Sequence, residues 1–325
     1  MRSIVVAMIA WALGTGCIDD TLAPRSIVAS DRVLAVVADR PIVGPGTDVR
    51  LSVMAVDEEG EPLVHGSDGI SMQWSSCVRE ERVLALSGAQ YEPDVASAGC
   101  GGRLSIDLET DTDGSAVLPG LVTAAAVAQI PMLAEGLGLP PELIATILEQ
   151  SGVPITLQVR ILRDDELRVT AFKRVLLTTR EGEVLGTNPD PPRFRIDERW
   201  MSASGVTEAF RCVAEDGAVP SVGAGQNIIL DPEEVILDPT PEQEDETWIE
   251  RYTVLSVEGR FAEQWEAAFY SWFSTDGSFD QGVTRAPADE EIWTAPTETG
   301  TYPLWLVVRD GHGGTSACRT DVEVR

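Results

Sequence analysis

Residues 41–51 read PIVGPGTDVRL and residues 220–230 read PSVGAGQNIIL. Both contain P-x-V-G-x-G, then a β-branched residue, then a leucine two positions later. In each copy a Gly/Pro turn feeds a strand of alternating side chains, and in the first copy Val49, Leu51 and Val53 share a face. A turn-and-strand signature that occurs twice predicts two related domains in tandem.

The surrounding sequence supports the same division. The chain has 325 residues, enough for about two domains that each bury a core. In the first unit, RVLAVVAD (32–39) precedes the turn and SVMAVDEEGEPL (52–63) reads as strand, turn, strand. SMQWSSC (71–77) is an aromatic strand ending in cysteine, and ITLQVRILRDDELRVTAFKRVLLTT (155–179) reads as a hairpin turning at RDDE. The second unit opens with RFRIDER (193–199), passes through AFRCVA, NIILD and FYSWFSTDGSF, and closes with GTYPLWLVVRDGHGGTSACRTDVEVR. Between the units lies GTNPDPPR (186–193), whose prolines can continue neither a ladder nor a helix. Short strands separated by Gly, Pro and Asp turns predict an all-β protein of two β-sandwiches, over 31–185 and 193–325. Trp74 and Trp272 fall on the central strands, where core packing is the expected role rather than a carbohydrate platform.

FYSWFSTDGSF (269–279) resembles the Y-x-W-x-F-x-x-D-G strand and turn of polycystic-kidney-disease-type immunoglobulin-like modules. GTYPLWLVVRDGHGGT resembles their closing G-x-Y-x-x-x-x-V-x-D-x-x-G-G hairpin. The likeness covers about 100 residues of the second unit well and the first unit loosely. It implies immunoglobulin-like sandwiches of the kind found in paired modules of myxobacterial-type envelope lipoproteins, and it says little about ligand.

The N-terminus speaks to location. Arg2, an apolar run from Ile4 to Leu13 and the small residues Gly14, Thr15 and Gly16 precede Cys17. The run is too short to span a bilayer and suits a secretory signal over 1–16. The segment resembles the lipobox of bacterial lipoproteins, except that Leu13 lies one position further from the cysteine than the family pattern prefers. The resemblance implies lipidation of Cys17, attachment to the membrane through that lipid, and a tether over 17–30. Ile18, rather than aspartate, after the acylated residue points to the outer membrane. Acylation also accounts for the odd cysteine. Setting Cys17 aside leaves Cys77, Cys100, Cys212 and Cys318, an even number for an oxidising compartment. Three pairings are open, and pairing within domains is the natural choice.

One segment departs from the all-β pattern. Residues 118–152 hold Ala-rich and Leu-rich stretches interrupted by Pro131 and Gly138. Pro140 and Pro141 suit a helix start, Leu143, Ile144, Ile147 and Leu148 form one apolar face, and Gly152 suits the stop. This reads as a short helical insertion in the first domain that packs on its own sandwich, with docking of another envelope protein as the alternative. A second, weaker helix is expected at 260–269.

The chemistry-bearing residues are few. With 53 acidic against 24 basic residues and a formal charge of -29, the chain has no basic stripe for phosphates, and nucleic acid is excluded as a partner. Glu109, Asp111 and Asp113 in DLETDTDGS lie in partial calcium-loop register, but Gly120 stands where the closing glutamate belongs. A solvated acidic turn is the expected reading, and a calcium-dependent adhesin is the reading those residues would otherwise support. His65 and His312 lie in Gly-rich turns, where exposure and ordinary titration are expected. No G-x-S-x-G, H-E-x-x-H or phosphate loop is present, and no cofactor is implied. The sequence therefore predicts a lipid-anchored, non-catalytic structural or binding module with an envelope protein or glycan partner. A secreted or lipid-anchored hydrolase with an unrecognised acidic site is the alternative.

Overall fold

The computed structural model describes residues 26–77, 100, 105–136, 140–180, 186–203, 210–255 and 260–325. The leader, Cys17 and most of the tether lie outside the described residues. The first unit comprises β1 (Arg32–Ala38), β2 (Ile42–Val43), β3 (Val49–Val56), β4 (Ile70–Cys77), β5 (Ser105–Leu108), β6 (Ala116–Leu118), α1 (Gly120–Gly136), α2 (Pro141–Gln150), β7 (Val153–Arg163) and β8 (Glu166–Leu177). In the second are β9 (Arg193–Ile196), β10 (Arg199–Ala203), β11 (Cys212–Ala214), β12 (Ser221–Val222), β13 (Asn227–Pro232), β14 (Arg251–Leu255), β15 (Phe261–Trp265), β16 (Phe269–Ser274), β17 (Ser278–Phe279), β18 (Val283–Arg285), β19 (Glu291–Thr294), β20 (Gly300–Arg309) and β21 (Thr315–Val324).

These strands form two immunoglobulin-like sandwiches whose five-stranded sheets share one plan, β2-β8-β7-β4-β5 in the first and β12-β21-β20-β16-β18 in the second. Facing them are the sheets β1-β3-β6 and β11-β10-β9-β13-β19-β17. The repeated motif explains the common plan. In each copy a two-residue strand runs parallel to the last strand of its own unit, with Val43 beside Leu177 and Val222 beside Val324. The chain then turns through Gly46 (φ +78°) or Gly225 (φ +68°) and crosses to the opposite sheet as β3 or β13. A side chain strains that left-handed conformation, so glycine stands in both copies.

Trp74 and Trp272 occupy matching places, opposite Val159 and Leu306 on the neighbouring strand. Each is buried in its core. Trp74 Nε1 donates to the Gly114 carbonyl at 2.9 Å, and Phe194 meets Trp272 edge-on at 5.4 Å. The cysteines pair within domains. Cys77–Cys100 ties the end of β4 to the segment before β5, and Cys212–Cys318 joins β11 of one sheet to β21 of the other.

The helical insertion lies between β6 and β7. Pro141 opens α2, the buried Ile144, Ile147 and Leu148 face the first core, and Gly152 (φ +72°) receives the chain as its N–H donates back to the Ile147 carbonyl at 2.8 Å. Pro131 lies inside α1 instead of interrupting it. The adjacent Ile130 is completely buried, and that anchorage outweighs the backbone bond that proline removes. Leu121 and Met132 remain exposed on the outer side of α1.

The expected helix at 260–269 is instead β15, paired antiparallel with β14. Phe261 and Trp265 stand four residues apart, a spacing that puts side chains on one side of either a helix or a strand. The available partner decides between them. Phe261 packs against the first sandwich's core and Trp265 against the second's, so this hairpin is an arm that reaches from one domain to the other.

The domains also share an apolar layer. Leu34, Met54 and Val56, on the outer face of the β1-β3-β6 sheet, pack against Phe273, Trp305 and Val307 of the second sandwich. The four sheets thus stack with three apolar layers between them. Polar contacts frame the junction. Arg309 Nη2 donates to the Leu34 carbonyl at 3.2 Å, Arg319 Nη1 to the Gly60 carbonyl at 3.2 Å, and Asn188 Nδ2 to the Ala38 carbonyl at 2.7 Å. The Thr315 N–H donates to Asn188 Oδ1 at 2.9 Å. At the start of the described chain, the Val28 N–H donates to the Ser274 carbonyl, so the segment leading into the first domain adds to the second domain's sheet.

Candidate functional site

Glu109, Asp111 and Asp113 lie at the turn between β5 and β6. Ser115 donates to Asp113 Oδ1 through its backbone N–H at 3.0 Å and its hydroxyl at 2.6 Å, and the hydroxyl also reaches Asp111 Oδ2 at 3.3 Å. These bonds hold the Asp113 carboxyl below the usual carboxylate range. Asp111 and Asp113 are therefore organised around the turn itself, and among the described residues no three His, Cys, Asp or Glu side chains are placed to hold a metal ion.

Of the two histidines, His312 departs from the expected exposure. His65 Nδ1 accepts the Met72 N–H at 3.0 Å. His312 is largely buried, stacked on Tyr252 at 3.9 Å with its Nδ1 3.8 Å from Glu266 Oε1. Burial pushes its titration below the ordinary histidine value, against the pull of Asp310. The correction has a physical cause. The DGHGGT turn looks solvated by composition, but the β14–β15 arm and the first sandwich close over it.

His312 belongs to a cluster at the domain junction that sequence reading missed. Asp310 is 1% exposed. Its Oδ1 accepts N–H bonds from His312, Gly313 and Gly314 at 2.6, 2.9 and 2.9 Å, while its Oδ2 accepts a second from Gly314 at 2.7 Å. Lys173, buried on β8 of the other domain, donates to Thr315 Oγ1 at 2.7 Å. Burial lowers the lysine to about 8, opposed by the Asp310 charge. Glu266 is 5% exposed, and burial, followed by repulsion from Asp310, raises its carboxyl to about 9. Its Oε2 accepts the Glu250 N–H at 3.1 Å, while Glu250 Oε1 accepts the Thr187 hydroxyl at 2.7 Å from the linker. The cluster draws on the arm, the linker, the closing turn and the first sandwich, and its geometry is that of a lock between domains.

The candidate binding site lies on the second sandwich, where the β9–β10 turn, the turn after β11 and strand β12 enclose a cavity of about 490 Å³. Ile196, Pro220 and Val222 supply a buried apolar floor, the half-buried Trp200 forms a wall, and Glu198, Arg199, Glu215 and Asp216 stand around it. Asp197 fixes the turn, donating its N–H to the Ile229 carbonyl at 2.9 Å and accepting the Ile229 N–H at 3.3 Å. Arg193 and Arg195 lie over the Trp200 ring at 4.3 and 5.3 Å. Arg193 pairs with Glu215 at 3.0 Å and also with Glu233. Arg195 pairs with Asp231, and Arg199 with Asp216 at 3.4 Å. The signal for this site is in RFRIDERW (193–200). Phe194 and Ile196 turn inward, Arg193 and Arg195 outward, and the two-residue turn brings Trp200 opposite Arg195.

Fold and site together define a tandem immunoglobulin-like double sandwich with an aromatic groove on its second domain. No protein-family model and no curated protein sequence matches the chain. Among solved structures it is similar to the α-2-macroglobulin of E. coli, at 8% identity and TM-score 0.24, over 92% of this chain and 17% of that one. Murine CEACAM1b gives 9% identity and TM-score 0.19, over 90% of this chain and 100% of that one. The Bacteroides ovatus protein SGBP-B of a mixed-linkage glucan utilization locus gives 11% identity and TM-score 0.20, over 91% and 47%. The chain thus spans about a sixth of the first of these and under half of the third. At such TM-scores these likenesses carry no argument about function.

Proposed function

We propose that this protein is a lipid-anchored envelope protein, of the myxobacterial type that its sequence resembles, acting as a non-catalytic binding module held at the outer membrane through Cys17. The observation that carries this reading is the pairing of all four downstream cysteines, Cys77 with Cys100 and Cys212 with Cys318. Such pairing suits an exported, oxidised chain and leaves Cys17, directly after its apolar leader, as the odd cysteine for acylation. Acyl chains there would hold the protein through about 0.8 kcal/mol per buried CH₂, and residues 18–25 would tether the double sandwich. Binding is assigned to the Trp200 groove. The reading is non-catalytic; beside the groove Glu215 and Asp216 each form a surface ion pair with an arginine.

The test is growth with an alkyne fatty acid followed by envelope fractionation. The expected result is label on the wild-type protein in the outer-membrane fraction, with Cys17→Ser unlabelled and absent from that fraction. Wild-type protein without label, or label retained by Cys17→Ser, would overturn the anchor.

A further inference from the structure

We propose that the β14–β15 arm is a strap that lets go of the domain junction as pH rises, with the Glu266 carboxyl as its trigger. The device is separate from the anchor and from the Trp200 groove. Its first ground is the way the arm is attached. Among the described residues, β14 and β15 pair only with each other and extend neither sandwich's sheets. Side chains and bonds at its base therefore hold the arm in place. Phe261 packs on the first core and Trp265 on the second, Tyr252 stacks on His312, Glu250 accepts the Thr187 hydroxyl, and the Ala267 N–H donates to the Asp310 carbonyl at 2.9 Å. A two-stranded hairpin without such support is marginally stable in water, so an arm that lets go loses its own ladder as well.

The second ground is the supply of hydrogen-bond donors to the two buried carboxyl groups. The Asp310 oxygens accept N–H bonds from three successive residues of the closing turn, His312, Gly313 and Gly314. Glu266 accepts a single one, from Glu250, and His312 Nδ1 stands 3.8 Å away, beyond hydrogen-bond reach. A buried carboxylate with so few donors is costly, whereas the protonated form is not.

The other charged and titratable groups around Glu266 supply no relief. Glu250 on the arm and Asp310 on the closing turn both repel a negative charge there. Burial presses His312 below its ordinary value, so it is neutral above 6.5, and burial pushes Tyr252 upward. Lys173 of the first sandwich donates to Thr315, and Arg309 donates to Ser271 and to the Leu34 carbonyl. Detachment of the arm hydrates the Glu266 carboxyl and lets it ionise. The closed form keeps the proton up to about 9 against 4.5 for the hydrated group. Opening therefore becomes about tenfold more favourable per pH unit between those values, or about 30-fold from pH 6.5 to 8.

The test is amide hydrogen exchange, read by mass spectrometry on full-length protein in detergent at pH 6.5 and 8.0, with each rate divided by the intrinsic rate at that pH to give a protection factor. The amides of Arg251–Leu255 and Phe261–Trp265 are expected to be at least about tenfold less protected than those of β16 at both pH values, the mark of a separate local opening. Their protection is expected to fall about 30-fold between the two pH values in the wild type and less than about threefold in Glu266→Gln. Phe261→Ala, which loosens the arm but keeps the carboxyl, is expected to lower arm protection at both pH values and to retain the 30-fold fall. Arm protection equal to that of β16 would overturn the proposal, since the arm would then open only with the whole fold. So would arm protection that does not change with pH, or an undiminished fall in Glu266→Gln. If Glu266→Gln does not fold, the wild type and Phe261→Ala still decide, because loss of the fall in either removes the trigger.

Discussion

Gly60 and Gly46 both adopt left-handed backbone conformations, at φ +82° and +78°, yet their surroundings differ completely. A Cβ on Gly60 would come within 2.9 Å of Pro303, Thr275 and Trp305 of the second domain, whereas one on Gly46 would meet nothing within 4 Å. Gly46→Ala carries the backbone strain alone, about 1–2 kcal/mol. Gly60→Ala adds a wedge between two packed domains, a further 1–3 kcal/mol or so. Denaturant melts of the two variants are expected to place Gly60→Ala clearly below Gly46→Ala; equal midpoints would mean that the domains do not press together at this point. Half of this contrast is legible in the sequence. The repeat marks Gly46 and Gly225 as turn glycines, and DEEGEPL marks Gly60 as one, but no local pattern reveals that Gly60 lies against Trp305, 245 positions further along the numbering.

At the scale of elements, the two disulfides serve different ends. Cys212–Cys318 spans 106 positions and joins the two sheets of its sandwich, whereas Cys77–Cys100 spans 23 and closes a loop beside one sheet. Loop-closure entropy gives about 4.8 kcal/mol for the long bridge and 3.5 for the short one, as upper figures. Replacing Cys212 and Cys318 together with alanine is expected to lower the midpoint more than the same change at Cys77 and Cys100; the reverse order would place the stabilisation in local strain or packing instead. The pairing itself could be read from the Pro-rich boundary, because one cysteine pair stands on each side of it. Elements with a complete local pattern were similarly readable: the α2 face of Ile144, Ile147 and Leu148, and the strands around Trp74 and Trp272. The arm was not. Phe261 and Trp265 satisfy helix and strand equally, and what decides between them is a partner strand and two cores supplied by distant parts of the chain. The groove was half visible, as alternating residues 193–196, while the stacking of Arg193 and Arg195 on Trp200 required knowledge of the hairpin register.

For the whole molecule, the junction makes stability depend on pH in a direction opposite to the usual behaviour of paired carboxylates. Glu266 titrates near 9 in the folded protein against 4.5 in the unfolded chain, so the folded state retains its proton between those values and loses stability as pH rises through them. His312, depressed from 6.5 by burial, acts in the opposite sense: its contribution is present above 6.5 and is lost as pH falls through the folded value. Lys173, lowered to about 8 from 10.5, restores stability only between those two values. From pH 6.5 to 8, therefore, Glu266 is the member of this cluster that sets the slope. One proton per molecule corresponds to about 1.4 kcal/mol per pH unit, hence a loss on the order of 2 kcal/mol across the window. Tyr252, also in contact with this cluster, is pushed upward from its ordinary value by burial and titrates above the window. Thermal melts at pH 6.5, 7.0, 7.5 and 8.0 are expected to show a falling midpoint for the wild type and a flatter profile for Glu266→Gln, which keeps the shape and the neutral charge. A flat wild-type profile, or the same slope in Glu266→Gln, would show that Glu266 does not keep its proton in the folded junction. The slope also reports on rigidity, because it exists only while the arm, the closing turn and the first sandwich keep water from that carboxyl.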